Sequence, residues 1–205
     1  MKNVKVVAFD CDGVLFDTEQ SNRAYYNEIL AHLGKPQLTP EQFVYVHMHT
    51  VDESLAHICN DDNSLAEAYA YRKTMNYGQF VKFMKVEPGL IPLLQKMRPQ
   101  IKIAIATNRS DSINGLLEAF GLCDLFDLVV SSSDVQLPKP HPDPLLKILA
   151  FFHIQPDQAI YVGDSNVDEL AATSAGIPLV AYRNKALCSA YHIDSLKELE
   201  TLLNL

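Results

Sequence analysis

The sequence predicts an α/β protein, a doubly wound parallel sheet with helices on both faces and a small all-helical domain inserted after the first strand. Short runs rich in Val and Ile recur along the chain, most of them too short to be independent helices. Helical stretches separate the later runs, the alternation expected of a parallel sheet covered on both faces. Between the first and second runs lies a far longer and mainly helical stretch, from about Asp17 to Met84.

The first strand is "VKVVAF" (4–9). Three helical segments follow, "EQSNRAYYNEILAHLG", "TPEQFVYVHMHTVDESLAHIC" and "SLAEAYAYRKTMNYGQFVKFM". Tyr25, Ile29 and Leu33 form a stripe at helical spacing, and Ala66, Tyr69, Ala70 and Lys73 a weaker one. "VEPGL" (86–90) reads as the linker back to the core, which gives a core of residues 1–16 and 85–205 and a helical domain of 17–84. Strands are expected at "IKIAIAT" (101–107), "FDLVVSS" (126–132), "QAIYVGD" (158–164) and "IPLVAY" (177–182). The helices between them are expected at Ile113 to Phe120, Pro144 to Phe152 and Val167 to Ala175. Asp143 suits a helix cap with Pro144 at the first helical position. Gly121 and Gly176 fall just past helix ends, where a left-handed backbone favours glycine.

Of the 205 residues 48% are hydrophobic and 20% charged, an ordinary globular composition. A net charge of -8 with no basic run argues against nucleic-acid binding. No apolar stretch approaches the roughly 20 residues of a membrane span, and no signal-like segment opens the chain. Cys11, Cys59, Cys123 and Cys188 show no paired spacing and read as reduced thiols. The expectation is a cytoplasmic protein, monomer or homodimer, with neither membrane nor nucleic-acid partners.

Four strand ends carry the chemistry. Asp10 and Asp12 close the first strand, two residues apart and so directed to one side. In open parallel sheets ligands bind beyond the carboxyl ends of the strands. Two facing carboxylates need a cation or a shared proton, and a hard ion such as Mg²⁺ suits oxygen ligands. Gly13 allows the sharp turn that follows. Asp164 repeats the placement of Asp10 on another strand, with Asp168 one helical turn later, where a helix-dipole acid is the plainer reading. Thr107 and Asn108 end the second strand, suited to hold phosphate oxygens or simply to cap a helix. Lys139, between two prolines in "LPKPHPDP", sits in a stiff loop where it could neutralise a carboxylate and a phosphate.

These residues resemble the motifs of the haloacid dehalogenase superfamily: "DCDGVLFDT", "ATN", "KPHPDP" and "GDSNVDELAATSAG", in the family's order across nearly the whole chain. The insertion resembles the helical cap of its phosphoglycolate phosphatase-like and β-phosphoglucomutase-like branch. The resemblance implies a Rossmann-like core and an enzyme that hydrolyses a small phosphate ester. It implies Asp10 as nucleophile forming an aspartyl-phosphate and Asp12 as general acid and base. Mg²⁺ would be held by the carboxylates of Asp10 and Asp164 and the backbone carbonyl of Asp12, with Asp168 behind them or acting through water. Thr107, Asn108 and Lys139 would bind the phosphoryl group. An acid at Asp12 favours phosphate-ester chemistry over dehalogenation. Cys11, with acids on both sides and no arginine shortly after it, fits packing rather than a cysteine phosphatase.

The inserted domain departs from the branch pattern. His47 and His49 occupy the substrate-loop region, as substrate contacts, a metal pair or surface residues. Val51 stands about where sugar-phosphate mutases of the branch carry arginine, which counts against a mutase. Arg109 could contact an anionic substrate or face solvent, and His141 could shape the lysine loop. The alternatives are a phosphomutase, a catalytically silent phosphate-metabolite binder, and a signalling receiver domain. Receivers put the acceptor aspartate on a middle strand and lack such an insertion.

Overall fold

The computed structural model describes residues 3–98 and 100–205. Val6–Phe9 (β1) is buried along its whole length and ends one residue before Asp10. The chain turns through Gly13 into Phe16–Asp17 (β2), which pairs with Lys85–Val86 (β3), the return from the insertion, in a two-stranded sheet. Between them lie Glu19–His32 (α1), Pro40–Met48 (α2), Val51–Ile58 (α3), Asp62–Arg72 (α4) and Gly78–Val81 (α5). After β3 come Leu90–Met97 (α6), Lys102–Ala106 (β4), Ser112–Ala119 (α7), Leu128–Val130 (β5) and Asp143–Phe152 (α8). Ala159–Gly163 (β6), Asn166–Ala175 (α9), Leu179–Tyr182 (β7), Tyr191–Ile193 (β8) and Glu198–Leu203 (α10) complete the chain.

Six strands form one sheet in the order β5-β4-β1-β6-β7-β8, and every neighbouring pair is parallel. Phe9 lies opposite Ile105 on one side and Val162 on the other. The carboxyl ends of β1, β4 and β6 therefore fall together at one edge. One face of the sheet, with Val6, Ala8, Ala104, Ala106 and Tyr161, packs under Leu145, Ile148 and Leu149 of α8 and Ala171, Ala172 and Ala175 of α9. Val7, Phe9, Ile103 and Ile105 alternate to the opposite face and are also fully buried.

The chain divides into two compact units, one running to Phe16 and resuming at Val86–Leu205, the other Asp17–Lys85. The helical unit has its own core of Tyr25, Ile29, Leu30, Phe43, Val46, Leu55, Ile58, Ala68 and Phe80. Two of its helix starts carry reciprocal capping boxes, Thr39 with Gln42 and Thr50 with Glu53. The second box breaks what the sequence reads as one long segment into α2 and α3.

Several expectations change. The weaker stripe is wrong, because Ala66, Ala70 and Lys73 are exposed while Ala68 is the buried residue of α4. The linker "VEPGL" is shorter than expected, since Gly89, at φ 80, leads directly into α6. Asp143 is the first residue of α8 rather than its cap, and its carboxylate accepts from Leu137 N–H and pairs with His141. Strand β8 escapes sequence reading because "YHI" is short and largely exposed.

Ile29→Ala, which removes a fully buried side chain of α1, is expected to destabilise the helical unit by about 2–5 kcal/mol. Urea unfolding followed by tyrosine fluorescence measures it.

Candidate active site

The strand continues in spirit past β1, since Asp10 N–H still donates to Val162 O at 2.9 Å. The chain then closes a tight turn in which Leu15 and Phe16 N–H donate to Cys11 O and Gly13 N–H donates to Phe16 O. Gly13 has φ +82, and a Cβ built on it would stand 2.1 Å from Asp164 Oδ2. The Asp164 carboxylate thus rests directly on the bare backbone of the first loop. Gly163 plays the same part for Asp168, whose Cβ lies 2.5 Å from the position a Gly163 side chain would take.

Lys139 is the centre of the site. Its side chain is 2% exposed, and its ammonium donates to Asp10 Oδ1 at 2.6 Å, Asp168 Oδ1 at 2.7 Å and the Tyr161 hydroxyl at 2.8 Å. The loop is fixed by Asn108, whose side-chain amide donates to Lys139 O and accepts from Lys139 N–H at 2.9 and 3.0 Å. The Asn108 side chain therefore holds the lysine loop, a role the sequence does not suggest. Its neighbour Thr107 is buried and accepts at Oγ1 from Arg109 N–H. Helix α7 begins only at Ser112, so neither residue caps it.

Asp168 has no exposure at all. Its Oδ2 accepts from Asp164 N–H, Ser165 N–H and the Ser165 hydroxyl, and its Oδ1 from Lys139 and Tyr161. It is a buried strut, not a surface acid facing the helix dipole. Asn184 donates to Asp164 O at 2.7 Å and steadies that residue from the loop after β7.

Arg109 does not face solvent. Its Nε and Nη2 donate to Asp12 Oδ2 and Oδ1, each at 2.7 Å, and its side chain is 7% exposed. The two acids of the first loop therefore have separate cations, Lys139 for Asp10 and Arg109 for Asp12.

Asp10, Asp164 and Asp168 each offer an oxygen within 4.8 Å of the others. Three carboxylates, Asp10 and Asp168 buried and Asp164 partly so, outnumber the one ammonium among them. Burial pushes Asp10 up to about 7, against the pull of Lys139 and with further repulsion from Asp168 and Asp12. Burial raises Asp164 well above the usual carboxylate range, reinforced by Asp168 and Asp10. Burial acts on Asp168 in the same sense, but Lys139, Ser165 and Tyr161 hold its pKa low. Burial would lower Lys139, yet Asp10 and Asp168 outweigh it and raise its pKa. Such an all-oxygen, under-neutralised cluster fits a hard divalent cation. Cys11 is buried, and burial followed by Asp12 pushes its thiol well up, as a packing residue requires.

In the helical unit His47 Nδ1 is hydrogen-bonded to the Asn22 side chain and its ring stacks on Phe43. His49 donates from Nδ1 to Tyr45 O and stacks on Tyr45, whose other stacking partner is His57. The two imidazoles have separate partners, and among the described residues the only metal-capable group of three or more is the acid cluster. Sequence reading missed Tyr161, Ser165 and Asn184. A tyrosine inside a buried strand signals a partner for its hydroxyl, and Ser165 with Asp168 is a capping-box pattern.

A haloacid dehalogenase-like hydrolase family model matches residues 7–182, and the chain belongs to that family. A phosphoglycolate phosphatase of Chromobacterium violaceum is 34% identical over 88% of this chain and 86% of its own. A pyrophosphatase, PpaX, of Bacillus velezensis is 30% identical over 96% and 93%. Among solved structures, a subfamily IA hydrolase of the superfamily from Geobacter sulfurreducens is 38% identical, covers 98% of this chain and 97% of its own, and has a TM-score of 0.80.

Gly13→Ala forces a positive φ on an L side chain and drives a methyl into Asp164. Loss of at least about 1–2 kcal/mol of stability is expected, read as a lower urea midpoint against wild type.

Proposed function

We propose that the protein is a Mg²⁺-dependent phosphatase that hydrolyses a small phosphorylated metabolite through an aspartyl-phosphate on Asp10. The observation that carries this reading is a buried carboxylate, Asp10, at the carboxyl edge of a central strand with a dedicated ammonium 2.6 Å away. An anionic nucleophile approaching an anionic phosphate is opposed by charge, and Lys139 counters that repulsion in a water-poor setting. Asp10 Oδ forms the new bond to phosphorus as the ester oxygen leaves. Both Asp12 oxygens accept from Arg109 in this arrangement. Asp12 therefore parts from Arg109, and carries a proton, before it can donate to the leaving oxygen. It then takes a proton from the water that attacks the aspartyl-phosphate, which releases phosphate and restores Asp10. The Thr107 hydroxyl and the backbone beside it bind phosphoryl oxygens.

Mg²⁺ would be held by Asp10, Asp164 and the Asp12 carbonyl, with Asp168 supporting them, and would supply Lewis-acid charge to the phosphoryl group. An excess of carboxylates over the one ammonium and an acid seated on Gly13 support that assignment. Phosphoglycolate and pyrophosphate, the substrates in the relatives' names, each pair a phosphoryl group with a second anion. Arg109 is the residue of this site suited to meet one, by exchanging Asp12 for it.

Phosphate release from a panel containing phosphoglycolate, sugar phosphates, nucleotides and pyrophosphate is expected to require Mg²⁺. Asp10→Asn is expected to lower it on the order of 10³-fold or more. Isomer interconversion faster than release would make the protein a mutase. No release by folded, metal-loaded protein would leave a phosphate binder.

Mg²⁺ should also stabilise the protein more at pH 7.5 than at pH 5. The raised pKa of Asp10, about 7 against 3.8, means that its stabilising contribution without metal is complete below about 3.8 and is lost as pH rises through about 7. The cation needs the ionised form, so its effect grows over the same interval. A Mg²⁺-induced rise in Tm that shrinks toward pH 7.5 would overturn this.

A further inference from the structure

An ammonium has three N–H donors and no acceptor. Those of Lys139 are all engaged, by Asp10, Asp168 and the Tyr161 hydroxyl. The side chain is too buried for bulk water to stand in for a lost partner. A phosphoryl oxygen that bonds to Lys139 therefore has to displace one of the three.

Tyr161 differs from the other two. Its oxygen has Lys139 Nζ at 2.8 Å, Asp168 Oδ1 at 2.8 Å and Ala106 O at 3.0 Å around it. The single phenol proton serves one of the last two, and a lone pair accepts from Lys139. Burial, then Asp168 and Asp10, push the phenol well above its usual pKa and keep it neutral. An ionised carboxylate draws the ammonium by charge as well as by the hydrogen bond, whereas a neutral phenol offers the hydrogen bond alone. The phenol is the weakest of the three acceptors and the one a phosphate oxygen can replace.

We infer that Tyr161 is a positioning residue that occupies the third N–H of Lys139 in the free enzyme and yields it to a phosphoryl oxygen when substrate binds. This role presupposes the phosphatase reading and adds a feature to it. In the free state the phenol holds the ammonium in register with Asp10. On binding, the same hydrogen bond competes with the phosphate. Removing the hydroxyl while keeping the ring therefore acts in two directions. It loosens the aim of Lys139 and slows turnover, and it removes a competitor and tightens phosphate. A tyrosine that merely packs the core would do the first at most.

The test is calorimetric titration of the Mg²⁺-loaded protein with inorganic phosphate, for wild type and Tyr161→Phe, together with kcat and KM on the best ester. In the variant, the phosphate Kd is expected to fall about tenfold, with kcat and KM falling together. A Kd equal to or above that of wild type overturns the inference while leaving the phosphatase reading intact. Phosphate binding by neither protein overturns the inference, and the phosphatase reading falls with it only if no ester is hydrolysed. The wild type alone gives a second readout that does not depend on the variant folding. With ¹³Cζ-labelled tyrosine, saturation with phosphate is expected to move one tyrosine resonance, that of the phenol losing its donor. A spectrum in which none moves overturns the inference.

Discussion

One buried ammonium makes this site possible. Asp10, Asp164 and Asp168 are delivered by β1, β6 and α9 to the same few ångströms at the sheet edge, where like charges repel in a medium that screens them poorly. Lys139 bonds two of them at once and is itself gripped through its backbone by Asn108. Without that cation the first turn of α9 would bury Asp168 uncompensated, and ionised Asp10 would have no buried counter-charge. The lysine loop is thus as much a part of the fold of this edge as of the chemistry proposed for it.

Arg109 makes the complementary arrangement. It takes both oxygens of Asp12 and keeps the second acid of the first loop apart from the lysine network. Two acids two residues apart are thereby given different electrostatic company, as the separate tasks proposed for them require. Asp10 stays in a buried environment that opposes its charge, and Asp12 is held by a bidentate cation on a side chain able to let go.

Strands and motif residues were legible because a buried parallel strand leaves a continuous Val and Ile run, and because acids, threonine and lysine at the ends of such runs have few other uses. What stayed hidden depends on third parties. Tyr161 looks like one more apolar residue of "AIYVG" until Lys139 and Asp168 arrive from distant segments. Asn108 reads as a phosphate ligand until the lysine loop claims its side chain. Arg109 gives no sign of direction from sequence, since its partner Asp12 is almost a hundred residues away. In α4 the apolar spacing misled because small alanines sit on both faces, and only the helical core that also holds Tyr25 and Phe80 picks out Ala68. Strand β8 had too little length and too much exposure to register.

The strand order also governs when this edge can come into being. β1, made first, has as its neighbours β4 and β6, whose paired residues begin at Lys102 and Ala159. A nascent chain must therefore carry Val6–Phe9 without β4 until about half of the residues are made and without β6 until about four fifths are, while the contacts that make the helical unit compact lie within Asp17–Lys85. Asp10 and Asp12 are the earliest part of this edge to be synthesised and among the last to be seated, a delay set by contact order rather than by chemistry.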